Sequence, residues 1–150
     1  MAGFRVVLDA CVLVPINKVE LLLTFAEQRA YFPLWSDRIM DETVRSIHKA
    51  TKGRVSEERA RTRVGAMNNA FEDACVEGWE PLEAAIAGMP DPDDRHVVAA
   101  AVRGHASAIV TDTSSTSRSP SWSHWGSTRA AVTGSSWIYS TATLHGRWPA

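Results

Sequence analysis

Residues 113–150 contain neither Asp nor Glu, although the whole chain carries 17 acids in 150 residues. All 17 therefore lie in residues 1–112, against 13 Lys/Arg, a net charge of −4. The last 38 residues hold three Arg and so carry +3, and the overall −1 hides a split between two stretches of unlike composition. Cysteine is also scarce. Cys11 and Cys75 stand 64 residues apart, with no spacing of the metal-binding type, and are expected to be two reduced, buried thiols. No apolar run approaches the roughly 18 residues that a membrane helix needs. The first apolar stretch, Val6 to Val14, is interrupted by Asp9 and has no small-residue cleavage pattern behind it, so no signal peptide is read and a cytoplasmic location is expected. With 45% apolar and 22% charged residues, the composition is that of an ordinary globule of one domain.

Short strands alternate with helices along the first three-quarters of the chain. Phe4-Arg5-Val6-Val7-Leu8 reads as a buried strand ending at Asp9, and the apolar positions Val19, Leu22, Leu23 and Ala26 follow at helical spacing. Tyr31 to Trp35 is a second short apolar run. Ser36 or Asp37 can cap the next helix, with Ile39, Met40, Val44 and Ile47 on one side, and Gly53 ends that pattern. Ser56-Glu57-Glu58 is a helix start running on through Val64, Met67 and Phe71. Ala74-Cys75-Val76 is a weak strand. Asp93 or Asp94 opens a helix that ends before Gly104, and Ala108-Ile109-Val110 is a strand ending at Thr111-Asp112. This alternation argues for a parallel sheet flanked by helices, in which sites lie beyond the carboxyl ends of strands. Asp9 and Asp112 both stand there.

The acids form a candidate constellation. A hard divalent cation takes oxygen ligands, and a bound cation lowers the pKa of water and neutralises charge on phosphoryl oxygens. Asp9, Glu42, Asp94, Asp91 and Asp112 come from separate segments that could converge to hold one. Each has an ordinary reading too. Asp91, Asp93 and Asp94 can form a Pro-flanked turn feeding a helix cap, and Glu42 can be a solvated helix residue. Asp9, set between apolar runs, must be paired or face a site. Between residues 45 and 63 lie Arg45, Lys49, Lys52, Arg54, Arg59, Arg61 and Arg63 against two acids. Such a cluster is commonly a solvated helix face, but beside an acidic site it could hold a phosphate backbone.

Val-Val-Leu-Asp9-Ala-Cys-Val-Leu-Val-Pro, Leu34-Trp35-Ser36 with Glu42 beyond it, Asp91-Pro-Asp-Asp94-Arg-His-Val-Val-Ala-Ala-Ala and Gly104-His-Ala-Ser-Ala-Ile-Val-Thr111 together resemble the PIN domain, in the right order over residues 4–112. The resemblance implies an α/β fold of three layers, a central parallel sheet flanked by helices. It implies an endoribonuclease dependent on Mg²⁺ or Mn²⁺, similar to the VapC-like toxins of type II toxin–antitoxin systems, with an antitoxin protein as partner and often a homodimer. By position, Asp9 matches the first acid, Glu42 the second and Asp94 the third, with Asp91 as its rival. At the fourth, related sequences continue after Val-Thr with one variable residue, then Asn or Asp, then a stretch ending Asp-Phe. Here Asp112 takes the variable slot and Thr113 follows, so the match breaks where the tail begins.

The tail has 10 Ser, 6 Thr and 4 of the chain's 6 Trp, without helical or alternating pattern. Ser-rich linkers are poor in aromatics, so a linker fits badly. The loss of one nucleotide near the codon of Thr113 accounts for the composition. Trp (TGG) then conceals Leu (CTG), and Ser (AGC) conceals Glu (GAG). Read in that shifted frame, positions 113–126 permit Asn-Leu-Ile-Asp-Phe-Pro-Glu-Pro-Glu-Leu-Glu-Pro-Leu-Gly, and positions 137–140 permit Leu-Asp-Leu-Leu. The sequence thus predicts a nuclease domain over 1–112 and a mostly irregular, frame-shifted tail over 113–150, with an open sheet edge and a less stable chain.

Two functions compete on this evidence: a metal-dependent endoribonuclease, or an impaired remnant that only binds RNA or an antitoxin-like partner. A haloacid-dehalogenase-like phosphatase would want a second Asp two residues after Asp9, where Cys11 stands.

Overall fold

A computed structural model of the chain describes residues 4–86, 92–112, 129–133 and 136–140, with 92–94, 112 and the last two stretches described by backbone alone. Strand β1 (Arg5–Leu8) is central. It pairs in parallel with β2 (Phe32–Leu34) on one side and with β3 (Ala108–Asp112) on the other. Val6, Val7 and Leu8 are all buried. Successive strand residues point to opposite faces, so both faces of the sheet are covered, as a parallel sheet requires.

The covering helices start where local chemistry directs. Ser36 caps α3 (Asp37–Ala50), its Oγ accepting from the Ile39 N–H at 3.2 Å, and Ser56 caps α4 (Glu57–Ala70) in the same way through Arg59. Pro92, at the first position of α6 (Pro92–Arg103), has no N–H to leave unpaired there. The turn after α3 needs left-handed backbone at Lys52 and Gly53 (φ +52° and +79°). Gly104 serves a different need. A Cβ there would meet Leu34 Cδ1 at 2.9 Å and Val76 Cγ2 at 3.0 Å, so only glycine lets the end of α6 approach β2. Helix α2 spans Ile16–Glu27, starting three residues earlier than its apolar spacing suggests.

The structure adds two helices that periodicity does not announce, α1 (Ala10–Leu13) and α5 (Glu80–Ala85), both too short for a repeat to show. The weak strand at Ala74–Val76 is a single parallel bridge between Trp35 and Cys75. Neither cysteine forms a disulfide, but the expectation that both are buried is corrected. Cys75 is exposed and Cys11 half-buried: Cys75 stands between buried Ala74 and Val76, and in extended backbone alternate residues point to opposite sides.

Two further strands, β4 (Arg129–Thr133) and β5 (Ser136–Ser140), complete the order β2-β1-β3-β5-β4. Strand β5 lies antiparallel to β3, with Ala108 opposite Ser140 and Asp112 opposite Ser136. The expected open edge at β3 is therefore corrected. The unpaired backbone groups of β3 are a template for any neighbouring extended segment, and Ser-Trp-Ile-Tyr-Ser has the β-branched and aromatic content to serve. Apart from these ten residues, the expectation of an irregular tail lies outside the described residues. Among the described residues no helix is long and apolar enough to cross a membrane.

Candidate active site

The sheet order places β1 between β2 and β3, so the chain leaves it in opposite directions, and in open sheets of this kind ligands bind beyond the carboxyl ends of the strands at such a point. Asp9 stands there, immediately after β1. Its N–H donates to the Val110 carbonyl at 3.1 Å, which fixes the two strand ends together. The carboxylate accepts from the Ala10 N–H at 2.7 Å, capping α1, and from the Thr111 hydroxyl at 3.0 Å. The Cys11 thiol lies 3.6 Å from the same carboxylate and 3.3 Å from Thr111 Oγ1. Burial pushes the Asp9 pKa above the usual carboxylate range. The bonds from Ala10 and Thr111 pull it down, the charge of Glu42 pushes it up and His96 pulls it down. Asp9 and Glu42, from β1 and α3, thus act on one another.

Glu42 is half-exposed on α3. His96 Nε2 of α6 approaches its Oε1 to 3.0 Å, and Arg38 Nε, one turn back on α3, stands 3.9 Å from the same oxygen. Arg38 also donates to Glu83 of α5 at 2.9 Å. His96 is the side chain beside Glu42 that the sequence reading missed. Its ring is 1% exposed, packed against Trp79 with centroids 6.2 Å apart, and Nδ1 has no hydrogen-bond partner among the described residues. The available signal was an imidazole at the head of the apolar run Val97 to Ala101, two residues after Asp94.

Asp94 lies in the first turn of α6 and Asp112 ends β3 opposite Ser136; in both cases only the backbone is described. Asp91 lies outside the described residues. Among the described residues no group of three His, Cys, Asp or Glu is assembled that could hold a metal. The two described carboxylates nevertheless fit a hard cation as a pair. They are oxygen donors held close enough to repel one another, and one of them is driven up in pKa by its surroundings.

The basic cluster divides. Arg45 and Lys49 are exposed on α3, three and seven residues beyond Glu42 and so on its side of the helix. Lys52, Arg54 and Arg59 are exposed around the turn into α4, and exposed Arg61 pairs with Asp41 at 3.4 Å. Arg63 points inward. It donates to the carbonyls of Leu13 and, at 3.2 Å, Val14, satisfying the end of α1.

Asp9 and Glu42 act on one another beside the carboxyl end of β1, in a sheet whose three parallel strands are covered on both faces, an α/β arrangement. The family profile described as PIN domain matches residues 5–113, which is most of the chain, and the chain belongs to that family. PIN domains are generally nucleases. No curated protein and no solved structure matched the chain.

Proposed function

We propose that the chain is an endoribonuclease of the toxin type, dependent on Mg²⁺ or Mn²⁺, acting in the cytoplasm beside an antitoxin partner. One observation carries this reading. The Asp9 and Glu42 carboxyls, 33 residues apart in sequence, act on one another electrostatically, and His96 pairs with Glu42 from the helix whose first turn holds Asp94. Asp9 and Glu42 would hold the cation, with Asp94 as the third acid and Asp91 or Asp112 as a further oxygen donor. When bound, the cation supplies an activated water and neutralises charge on the scissile phosphate. The chain's own groups do the rest. The Ala10 N–H and Thr111 hydroxyl fix the Asp9 carboxylate, so that it needs no reorganisation to receive a ligand. Lys49 lies roughly 10 Å along the helix axis from Glu42, within reach of neighbouring phosphates of a bound strand. With Arg45 it would set the backbone of the RNA against the acids.

The direct test is cleavage of single-stranded RNA with Mg²⁺ or Mn²⁺, by the wild-type chain and by Asp9→Asn. Metal-dependent cleavage that disappears in the variant supports the proposal; cleavage untouched by the substitution refutes it.

A second reading has its own observation. The family match stops at 113, where the acids also stop. A single-nucleotide loss near codon 113 would leave a chain that binds RNA or a partner without turnover. RNA binding without metal-dependent cleavage would favour it, and sequencing of the DNA around codon 113 tests the frameshift itself.

A further inference from the structure

We propose that His96 is a positioning residue, whose Nε2–H holds the Glu42 carboxylate toward Asp9 and away from Arg38. The inference rests on the metal-site reading above and deepens it.

Three observations lead to it. His96 is buried almost completely, in the second turn of α6, and the next five residues of that helix are all buried and apolar. An apolar side chain would suit that packing, yet an imidazole stands there with one nitrogen bonded and the other without a partner among the described residues. A buried polar ring with only one of its nitrogens bonded among the described residues is poorly explained by stability alone. What it does make is one bond, at 3.0 Å, to a carboxylate that neighbours Asp9. A carboxylate can only accept, so the proton of this bond sits on Nε2.

The third observation is a competitor. Arg38 approaches the same oxygen of Glu42 from one turn back on α3, at 3.9 Å, while a second nitrogen of its guanidinium holds Glu83 at 2.9 Å. Arg38 and Glu42 are four residues apart, the spacing at which helix side chains pair readily. With the imidazole removed, Arg38 remains beside the same oxygen of Glu42, and the carboxylate would close onto it. Partners behind ligating groups generally set the orientation of those groups, and losing such a partner commonly weakens metal binding 10- to 100-fold.

The experiment uses the full chain and Mn²⁺ alone as the probe, with binding read by calorimetry or by the electron paramagnetic resonance of free Mn²⁺. His96→Met fills the space without a donor, and His96→Gln restores an amide N–H near the position of Nε2. The expected result is Mn²⁺ affinity at least 10-fold weaker in His96→Met, close to wild type in His96→Gln, and partly recovered in His96→Met combined with Arg38→Met. Equal affinity in His96→Met and wild type overturns the proposal. Failure of the wild-type chain to bind Mn²⁺ would instead defeat the metal-site reading, and the positioning claim is then decided without metal. Long-range ¹⁵N–¹H spectra of the wild type should show the His96 proton on Nε2, and its ring signals should shift in Glu42→Gln but not in Glu83→Gln. A proton on Nδ1, or ring signals indifferent to Glu42, overturns it in either case.

Discussion

The two sides of the sheet are built on different information. On one side, β2, β1 and β3 run parallel, joined by helices whose caps, apolar stripes and breakers are all written locally. On the other, β5 and β4 form an antiparallel ribbon from a stretch with no acid and no periodic pattern. The difference teaches that strand pairing draws on the backbone, which every sequence supplies. A bare edge such as that of β3 recruits a β-prone segment through its backbone alone. A core, by contrast, needs side chains in register with the elements that carry them.

The comparison breaks first if tryptophans on the two sides matter equally. Trp35 is fully buried, donates from Nε1 to Asn68 Oδ1 at 2.7 Å and meets Phe71 edge-on at 6.1 Å. Trp35→Ala should cost about 3–5 kcal/mol, enough to unfold a marginal domain. Trp137→Ala, in β5, should cost less than about 1 kcal/mol. Urea denaturation of both variants measures the contrast, and comparable losses would mean that β5 belongs to the core.

Much of the first side was legible. The strands around Asp9 and Asp112, the Ser36 and Ser56 caps and the break at Gly53 each depend on residues within a turn of one another. The alternation of elements likewise placed Asp9 just beyond the carboxyl end of a parallel strand. What escaped depends on distant contacts. His96 meets Glu42 only because the fold brings these two side chains of α6 and α3 together, and 54 positions of sequence separate them. Arg63 sits in a run of basic residues that reads uniformly as surface, yet it alone turns inward, since the carbonyls it satisfies belong to α1, about 50 residues upstream. The exposure of Cys75 escaped because a single bridge to Trp35 leaves no periodic trace.

Arg63 and Lys49 sharpen the comparison within the basic cluster. Arg63→Met removes two charged donors from the end of α1 and should destabilise the chain by about 1–2 kcal/mol, the loss being moderated by partial solvent access. RNA affinity should then change little. Lys49→Met should leave stability unchanged and lower RNA affinity several-fold at every sequence, with the slope of log K against log salt reduced by about 1. Filter binding at several salt concentrations separates the two residues. A Lys49 variant with an unchanged salt slope would remove it from the RNA path.

Reversing the proposed single-nucleotide loss tests the second side directly. On that proposal, a chain carrying the shifted reading from position 113 gains acids and apolar positions, and should be more stable than this one by at least about 1 kcal/mol, a sizeable fraction of a marginal fold's total. Equal denaturation midpoints would mean that the ribbon of β5 and β4 already supplies what the edge of β3 requires.

The smallest effect expected lies at Asp9, and its sign is opposite to that of the other substitutions. Burial raises the Asp9 pKa above its unfolded value. Between those two values the folded chain holds more protons than the unfolded chain, so stability falls as pH rises through that window, and the full cost of the buried charge remains above it. Asn at position 9 keeps a carbonyl oxygen for the Ala10 N–H or the Thr111 hydroxyl and removes the charge. Asp9→Asn should therefore melt a few degrees above wild type at pH 8, and the gap should close below the usual carboxylate pKa of about 3.9, where Asp9 is neutral in both states. Mn²⁺ should raise the melting temperature of the wild type and leave the variant unmoved, because only the ionised carboxylate rewards a cation. An Asp9→Asn chain that melts below wild type at pH 8 would show that the carboxylate is held by its local bonds more strongly than burial opposes it.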